Sequence, residues 1–400
     1  MRIPNRARWL HEDRVSKLPK EMNFLRVFCS SLVIYVTGFC SDAGAIYLLR
    51  SCHKSYQLRF NYTLRKYVAV GNLPDLCFRP SSVHITWNHS PYANLPRSVT
   101  CVSFGAQFTQ IIAEHALSSS VATIAFESDF DYECGREVSW NRHIPINSLP
   151  PNLTYLTFGS LFNQDLSHCV FPVSLKHLQF GAEFNKPIHD NSLPPNLLTL
   201  SFGREFNQPL SQNSLPVTLQ RIIFGYSFNQ SLENGVLPPK LTELVFGACF
   251  NRPLKIGVLP RSLTCLRFSG QFNQPLVEHT LPPSLVDLTF GWCFNQSITE
   301  RVLPPSLTHL RFGYRFDKTI APNILPQSLL SLTFGDSFNQ PISDGVLPQS
   351  LTRLIFGEQF AQRLAKTMLP CSLRVLYVFE TYPWPADCVL PPGCRRWMNH

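Results

Sequence analysis

Apolar residues recur along this chain with a fixed period of 22. A clear copy runs from Leu193 to Ser214, where Leu200 and Phe202 stand two apart among polar and turn-forming residues. Alternation over so few residues predicts a short strand with one face inward. Ten such units follow one another from Leu149 to Met368 with no inserted or deleted residue. Each is too small to enclose a core, so equivalent apolar side chains must lie over one another in a stack of coils. Strands of neighbouring coils then pair in parallel about 4.8 Å apart, and ten coils span about 50 Å. The pattern predicts a mainly β, right-handed solenoid of short parallel strands. Proline and glycine recur too often inside the unit for a helix of ordinary length.

The fixed positions have local physical readings. The unit opens on leucine (phenylalanine at Phe171), and proline follows in all ten copies, from Pro150 to Pro348. Proline fixes φ and cannot donate to a ladder, so it marks a bend. Phenylalanine holds the tenth position throughout, Phe158 to Phe356, and the fourteenth, Phe162 to Phe360. Glycine follows the tenth position in nine of ten units, the exception reading Phe268-Ser269-Gly270. Glycine there points to a positive φ or a tight backbone approach. Asparagine follows the fourteenth position in eight units, with Asp317 and Ala361 as departures. Such a row predicts an asparagine ladder that satisfies backbone groups at a turn. A ligand-binding row is the sharper alternative.

These motifs resemble a known family. Phe-Asn-Gln-Pro-Leu at Phe206 to Leu210 and Phe272 to Leu276, Phe-Asn-Gln-Pro-Ile at Phe338 to Ile342, and the flanking Leu-Pro-x-x-Leu-x-x-Leu-x-Phe-Gly are similar to the FNIP repeat. The resemblance covers residues 149–368 and implies a leucine-rich-repeat-like fold. It also implies a protein-interaction scaffold, and it carries no known catalytic residues.

Outside the array the copies degrade. Within residues 73–148, Leu95 to Thr109 keeps the frame but loses asparagine. Leu117 to Phe130 keeps Val121, Ile124, Phe126 and Phe130, and some ten further residues, with the acidic stretch Asp129 to Glu133, are expected to loop out before Leu149. A weaker coil is expected around Val83 and Trp87. Residues 369–400 begin an eleventh, partial copy and are expected to cap the open strand edge with Tyr382-Pro-Trp-Pro385.

Charge separates one segment from the rest. Residues 1–72 hold 12 Lys or Arg against 4 Asp or Glu, which is +8 of the chain's +9. Residues 1–17 read as a basic, flexible leader. Its Arg2, Arg6, Arg8 and Arg14, with Lys17 and Lys20 beyond, have the charge to attract nucleic acid or membrane. A solvated, partly disordered leader is the expected reading, and neither nucleic acid nor membrane is expected as a partner. Residues 18–72 read as a small helical segment. Leu18-Pro-Lys-Glu21, an apolar stretch from Phe24 to Val36, a helix opening at Asp42 and a close at Cys52 to Tyr56 resemble a degenerate F-box. That resemblance implies a Skp-family adaptor docked at residues 18–56 and a solenoid that chooses substrates for a cullin-type ubiquitin ligase. A cap over the first coil is the other reading. The apolar run Val27 to Cys40 is shorter than the roughly 20 residues that span a membrane. A secretory signal would need an unusually long leader. A secreted or membrane-anchored repeat binding protein is therefore the alternative.

Thirteen cysteines, none in Cys-x-x-Cys, argue against a zinc ribbon or a thioredoxin motif. Cys249 and Cys293 share a repeat position but lie two coils apart, roughly 10 Å and beyond disulfide reach. Scattered thiols fit a reducing, cytoplasmic setting, and Cys388 with Cys394 is the one plausible pair. The sequons at Asn61, Asn88, Asn152, Asn229 and Asn295 include two in the asparagine row, where a glycan does not fit. No phosphate-binding loop, His-Glu-x-x-His or nucleophile elbow occurs, and His177 and His309 fall too many coils apart to share a metal. Neither cofactor, metal nor catalysis is expected.

Variable outward positions remain as the candidate protein-binding face. On the strand these are Arg221, Arg267, Arg311 and Arg353, and just after the glycine they are Tyr226, Trp292, Tyr314 and Arg315. Arginine and aromatic residues are enriched where interfaces gain most of their energy.

Overall fold

The computed structural model describes residues 97–131, 136–385 and 389–399, with Leu95 and three short strands before them. Those strands are β1 (Val33–Tyr35), β2 (Asn61–Leu64) and β3 (Ser82–Ile85). They are followed by β4 (Cys101–Phe104), β5 (Thr123–Phe126) and a two-stranded hairpin, β6 (Ser128–Asp131) with β7 (Arg136–Ser139). The regular array then supplies one three-residue strand per unit. These are β8 (Tyr155–Thr157), β9 (His177–Gln179), β10 (Thr199–Ser201), β11 (Arg221–Ile223), β12 (Glu243–Val245), β13 (Cys265–Arg267), β14 (Asp287–Thr289), β15 (His309–Arg311), β16 (Ser331–Thr333) and β17 (Arg353–Ile355). β18 (Val375–Phe379) and β19 (Arg395–Asn399) close the series. All but the hairpin form one 17-stranded sheet in which sequential strands pair in parallel. The register steps by one unit, Leu200 to Ile222 to Leu244 to Leu266. The expected solenoid of 22-residue coils is therefore the fold.

Each coil turns three corners, and the sequence explains each. The carbonyl of the second-position proline accepts the N–H of the fifth-position leucine, as from Leu197 to Pro194 at 3.2 Å. A proline there leaves its carbonyl free to close the turn, and its missing N–H is not needed. The fourteenth-position Phe206 donates to Gly203 at 3.4 Å, and Ser214 donates to Ser211 at 3.3 Å. Next to this third corner the chain repeatedly takes a positive φ, at Asn191, Gly235, Gly257, His279, Arg301, Asn323 and Gly345.

The inward leucines and phenylalanines are buried in every coil. Phenylalanines ten and fourteen lie face to face within a coil, 3.9 Å between centroids for Phe202 and Phe206. Each also stacks on its counterpart one coil away, 5.5 Å for Phe202 and Phe224 and 6.0 Å for Phe206 and Phe228. The glycine between them is set by closeness and not by φ. A methyl group on Gly203 would overlap the carbonyl of Gly181 beneath it, and the same holds for Gly225 over Gly203 and Gly313 over Gly291.

The asparagine row is a ladder. From Asn141 to Asn339 each side-chain oxygen accepts the backbone N–H of the equivalent residue one coil on, at 2.9–3.0 Å. In most coils a glutamine donates to the same oxygen, as Gln274 does to Asn251 at 2.9 Å. The ladder uses only an acceptor, which explains why Asp317 fits within it and why Ala361 can end it. Asn251→Ala strands the Asn273 N–H and should cost about 1–3 kcal/mol. Asn251→Asp keeps the acceptor and should lie near wild type. Urea unfolding of both variants checks this, and equal losses would show that the ladder does not depend on the acceptor. A second ladder was not anticipated. Ser or Thr at the fourth position donates to the carbonyl of the fifth-position leucine one coil earlier, as Ser284 does to Leu263 at 2.7 Å.

Two expectations need correction. Phe130 does not hold the fourteenth position of its coil; it belongs to β6. Trp140 takes that place, stacked on Phe126 at 4.2 Å and on Phe162 at 5.8 Å, and Asn141 starts the ladder. The hairpin therefore interrupts the coil between its two stacked rings. The helical segment expected at residues 18–72 is contradicted where that stretch is described. β1 and β2 are strands in parallel register, Val33 against Asn61. The β-branched and aromatic Val33-Ile34-Tyr35 suits a ladder. Among the described residues the only helix is one short turn, Lys366–Met368. The leader and the rest of the F-box-like stretch lie outside the described residues.

At the other end Tyr382 continues the outer ring column, 5.7 Å from Phe360, and its hydroxyl donates to the Gln362 carbonyl at 3.0 Å. Trp384 meets Tyr382 edge-on, and Arg396 lies 4.6 Å over Trp384.

Candidate functional site

With the leucines turned inward, the seventh and ninth residues of each coil face outward and form two columns across the sheet. Paired in register, the seventh-position column reads Arg221, Glu243, Cys265, Asp287, His309, Ser331 and Arg353. The ninth-position column includes Arg267, Thr289, Arg311 and Thr333. All four predicted strand arginines are exposed. Two are neutralised sideways: Arg221 meets Glu243 at 3.2 Å, and Arg267 meets Asp287 at 3.1 Å. Arg311 and Arg353 make no ion pair among the described residues. Partly exposed surface pairs of this kind contribute about 0–1 kcal/mol each, so they shape the surface more than they hold the fold.

Beyond the glycine lies the aromatic row. Trp292 and Tyr314 stack at 4.2 Å with their planes 6° apart, and Trp292 is 55% exposed. The Arg315 N–H donates to the Trp292 carbonyl at 2.9 Å, which ties the two coils together beneath the rings. Tyr226 stands apart. Ala248 and Gly270 fill the intervening coils, and the guanidinium of Arg204 lies 5.3 Å from the Tyr226 ring. The structure thus gathers Trp292, Tyr314, Arg311 and Arg315 in two neighbouring coils. It leaves Tyr226, Arg221 and Arg353 at a distance along the same side.

Sequence reasoning missed the residues around Arg311. A recess of about 340 Å³ there is lined by Arg267, Asp287, Thr289, His309, Arg311, Ser331 and Thr333. The register would have revealed it, since the seventh residue of one coil lies beside the seventh and near the ninth of the next. A second recess, of about 900 Å³, follows the third corner between Ile256 and Gln327 and includes Glu278, His279 and Arg301.

Cys101, Cys169, Cys265 and Cys394 are shifted away from reactivity. Burial pushes Cys169 up to about 12, and burial followed by the Asp287 charge raises Cys265. Reactive thiols require the opposite shift. Burial, and then the Lys176 charge, lowers His177, whose ring stacks on Tyr155 at 4.1 Å. Among the described residues no group of three or more His, Cys, Asp or Glu is arranged to hold a metal, and no helix is long and apolar enough to cross a membrane. Asn229 and Asn295 are ladder members, so their sequons coincide with structural positions.

Short parallel strands, inward leucine and phenylalanine, and a variable outward face define a leucine-rich-repeat-like solenoid, a fold typical of non-enzymatic binding scaffolds. The FNIP Repeat family model matches residues 140–183, 162–205, 184–227, 206–249, 228–271, 250–293, 294–337 and 338–378. These matches run over more than half of the sequence, and the chain belongs to the FNIP repeat family. The crystal structure of CroV588, described as a novel circular LRR protein, is 41% identical with a TM-score of 0.73 over 85% of this chain and 48% of that one. The Toll–Spatzle complex of Drosophila, in its glycosylated form, shares the fold at 13% identity and a TM-score of 0.50, over 78% of this chain and 49% of that one. This chain spans about half the length of either protein. Comparison with curated proteins finds no match.

Proposed function

We propose that this chain is a non-catalytic scaffold that holds a protein partner on its strand face, centred on Trp292, Tyr314, Arg311 and Arg315. The observation that carries the reading is exposed Trp292 stacked on half-buried Tyr314 beside arginines. Rigid aromatic surface next to guanidinium groups is what interface hot spots are made of. Tyr226, Arg221, Arg267 and Arg353 would extend the contact along the columns. Replacing Trp292, Tyr314 and Arg315 together with alanine should abolish capture of a partner identified by mass spectrometry, and the melting temperature should hold. Truncating a hot-spot residue typically costs about 2 kcal/mol or more. Unchanged capture would reject this face.

The cytoplasmic setting belongs to the same proposal. Cys101, Cys169, Cys249, Cys265, Cys293, Cys371 and Cys394 all carry free thiols, which suits a reducing compartment. Cys388 lies outside the described residues. The ubiquitin-ligase role through a Skp-family adaptor has no support from the described part of residues 18–56, where β1 is a strand. Co-purification of that adaptor with the full-length chain would restore it. A glycan mass on the mature protein would favour the secreted alternative.

A further inference from the structure

We propose that the recess around Arg311 receives the carboxylate of an Asp or Glu side chain from the protein partner; this rests on the strand-face reading above. Arg311 ends β15, with Thr289 on β14 and Thr333 on β16 in register on either side. His309 and Ser331 complete the donors around a recess of about 340 Å³. The recess holds one carboxylate of its own, Asp287, and Arg267 already engages it at 3.1 Å. What remains is a guanidinium with no ion partner among the described residues, flanked by hydroxyl groups.

That donor set fits an oxyanion, because an arginine fork matches two oxygens of one planar group. The charge balance selects a carboxylate. Arg311 supplies one uncompensated positive charge, which a carboxylate neutralises. A phosphate monoester brings about −1.5 to −2, and the excess would fall beside Asp287. Placement supplies the partner's second feature. Tyr314 follows Arg311 by three residues, so the two Cα atoms lie within about 10 Å. An apolar side chain next to the captured acid can then rest on the Trp292–Tyr314 stack. The partner segment is acidic and apolar in close succession.

A random peptide library displayed on phage is the probe, selected on the full-length chain. The wild type should enrich peptides that carry Asp or Glu next to an aromatic or aliphatic residue. Arg311→Gln, an exposed change expected to leave the melting temperature unaltered, should weaken the selected peptides about tenfold. Asp287→Asn frees Arg267 and should tighten them several-fold, a gain that misfolding cannot imitate. Selected peptides without acid, binding indifferent to Arg311→Gln, or displacement by inorganic phosphate but not by acetate at equal ionic strength would each overturn the carboxylate assignment. Peptides lost in Trp292→Ala/Tyr314→Ala yet indifferent to Arg311→Gln would overturn it and leave the strand face standing. If nothing is selected, or the peptides ignore both sets of variants, both readings fall.

Discussion

Gly203→Ser should destabilise the array by about 3 kcal/mol or more, and adding Arg204→Gly should restore most of the loss. Glycine-to-larger changes at relaxed positions commonly stabilise by about 0.4–1 kcal/mol through the unfolded chain. Here a side chain on Gly203 runs into the backbone of Gly181, and backbone inside a stack cannot swing aside as a flexible side chain would. One coil shows how the collision is avoided. Ser269 stands at the equivalent position, with glycine one place later at Gly270. Its hydroxyl donates to the Phe246 carbonyl at 2.8 Å, and the ladder gains a bond there: Trp292 donates to Ser269 at 2.7 Å while Cys293 keeps the regular bond to Gly270 at 2.9 Å. The double variant would place the same serine–glycine order in the coil of Gly203 and copy that solution. The lost Arg204–Glu205 pair is exposed and worth little. Urea midpoints of the two variants decide the matter. A double variant as unstable as the single one would show that Ser269 and Gly270 are tolerated for some reason particular to their own coil.

How much of this was legible depended on whether the cause lay inside one unit or between units. The period, the two rings, the glycine and the asparagine row each repeat at one position, so they are legible in the sequence alone. Trp140 could not, because the hairpin displaces the second ring from the spacing that elsewhere identifies it. Phe130 matched that spacing by coincidence. The lost signal was Trp140-Asn141 itself, which repeats the aromatic–asparagine pair of the regular coils. Position four was less regular than position fifteen, with serine or threonine in seven of ten units, and a hydroxyl in a turn has many local uses. Its bond to a carbonyl one coil away emerges only from the stack. The surface pairs are a further step removed. Arg267 and Asp287 are twenty residues apart and meet because strands lie side by side. The candidate arginines therefore looked alike in sequence, although two are neutralised and Arg311 is not.

The column of rings leads to the second large effect. Phe250→Ala should cost about 3–5 kcal/mol, and the loss should stay local. Phe250 is fully enclosed, 3.8 Å from Phe246 in its own coil and 6.1 and 6.0 Å from Phe228 and Phe272 on either side. Its neighbours cannot close over the gap, because each is fixed at 22-residue register by backbone ladders on both faces of the coil. In a stack, a coil's stability is its own plus that of two interfaces, so one deletion weakens two interfaces and no others. Amide exchange should therefore quicken in the coils that carry Phe228, Phe250 and Phe272, while the coil of Phe162 keeps its protection. A globular core would spread the same deletion over every element that shares it. Uniform loss of protection along the chain would mean that the coils unfold as one cooperative unit, and that the nearest-neighbour picture, on which the locality of every partner contact also depends, is wrong for this protein.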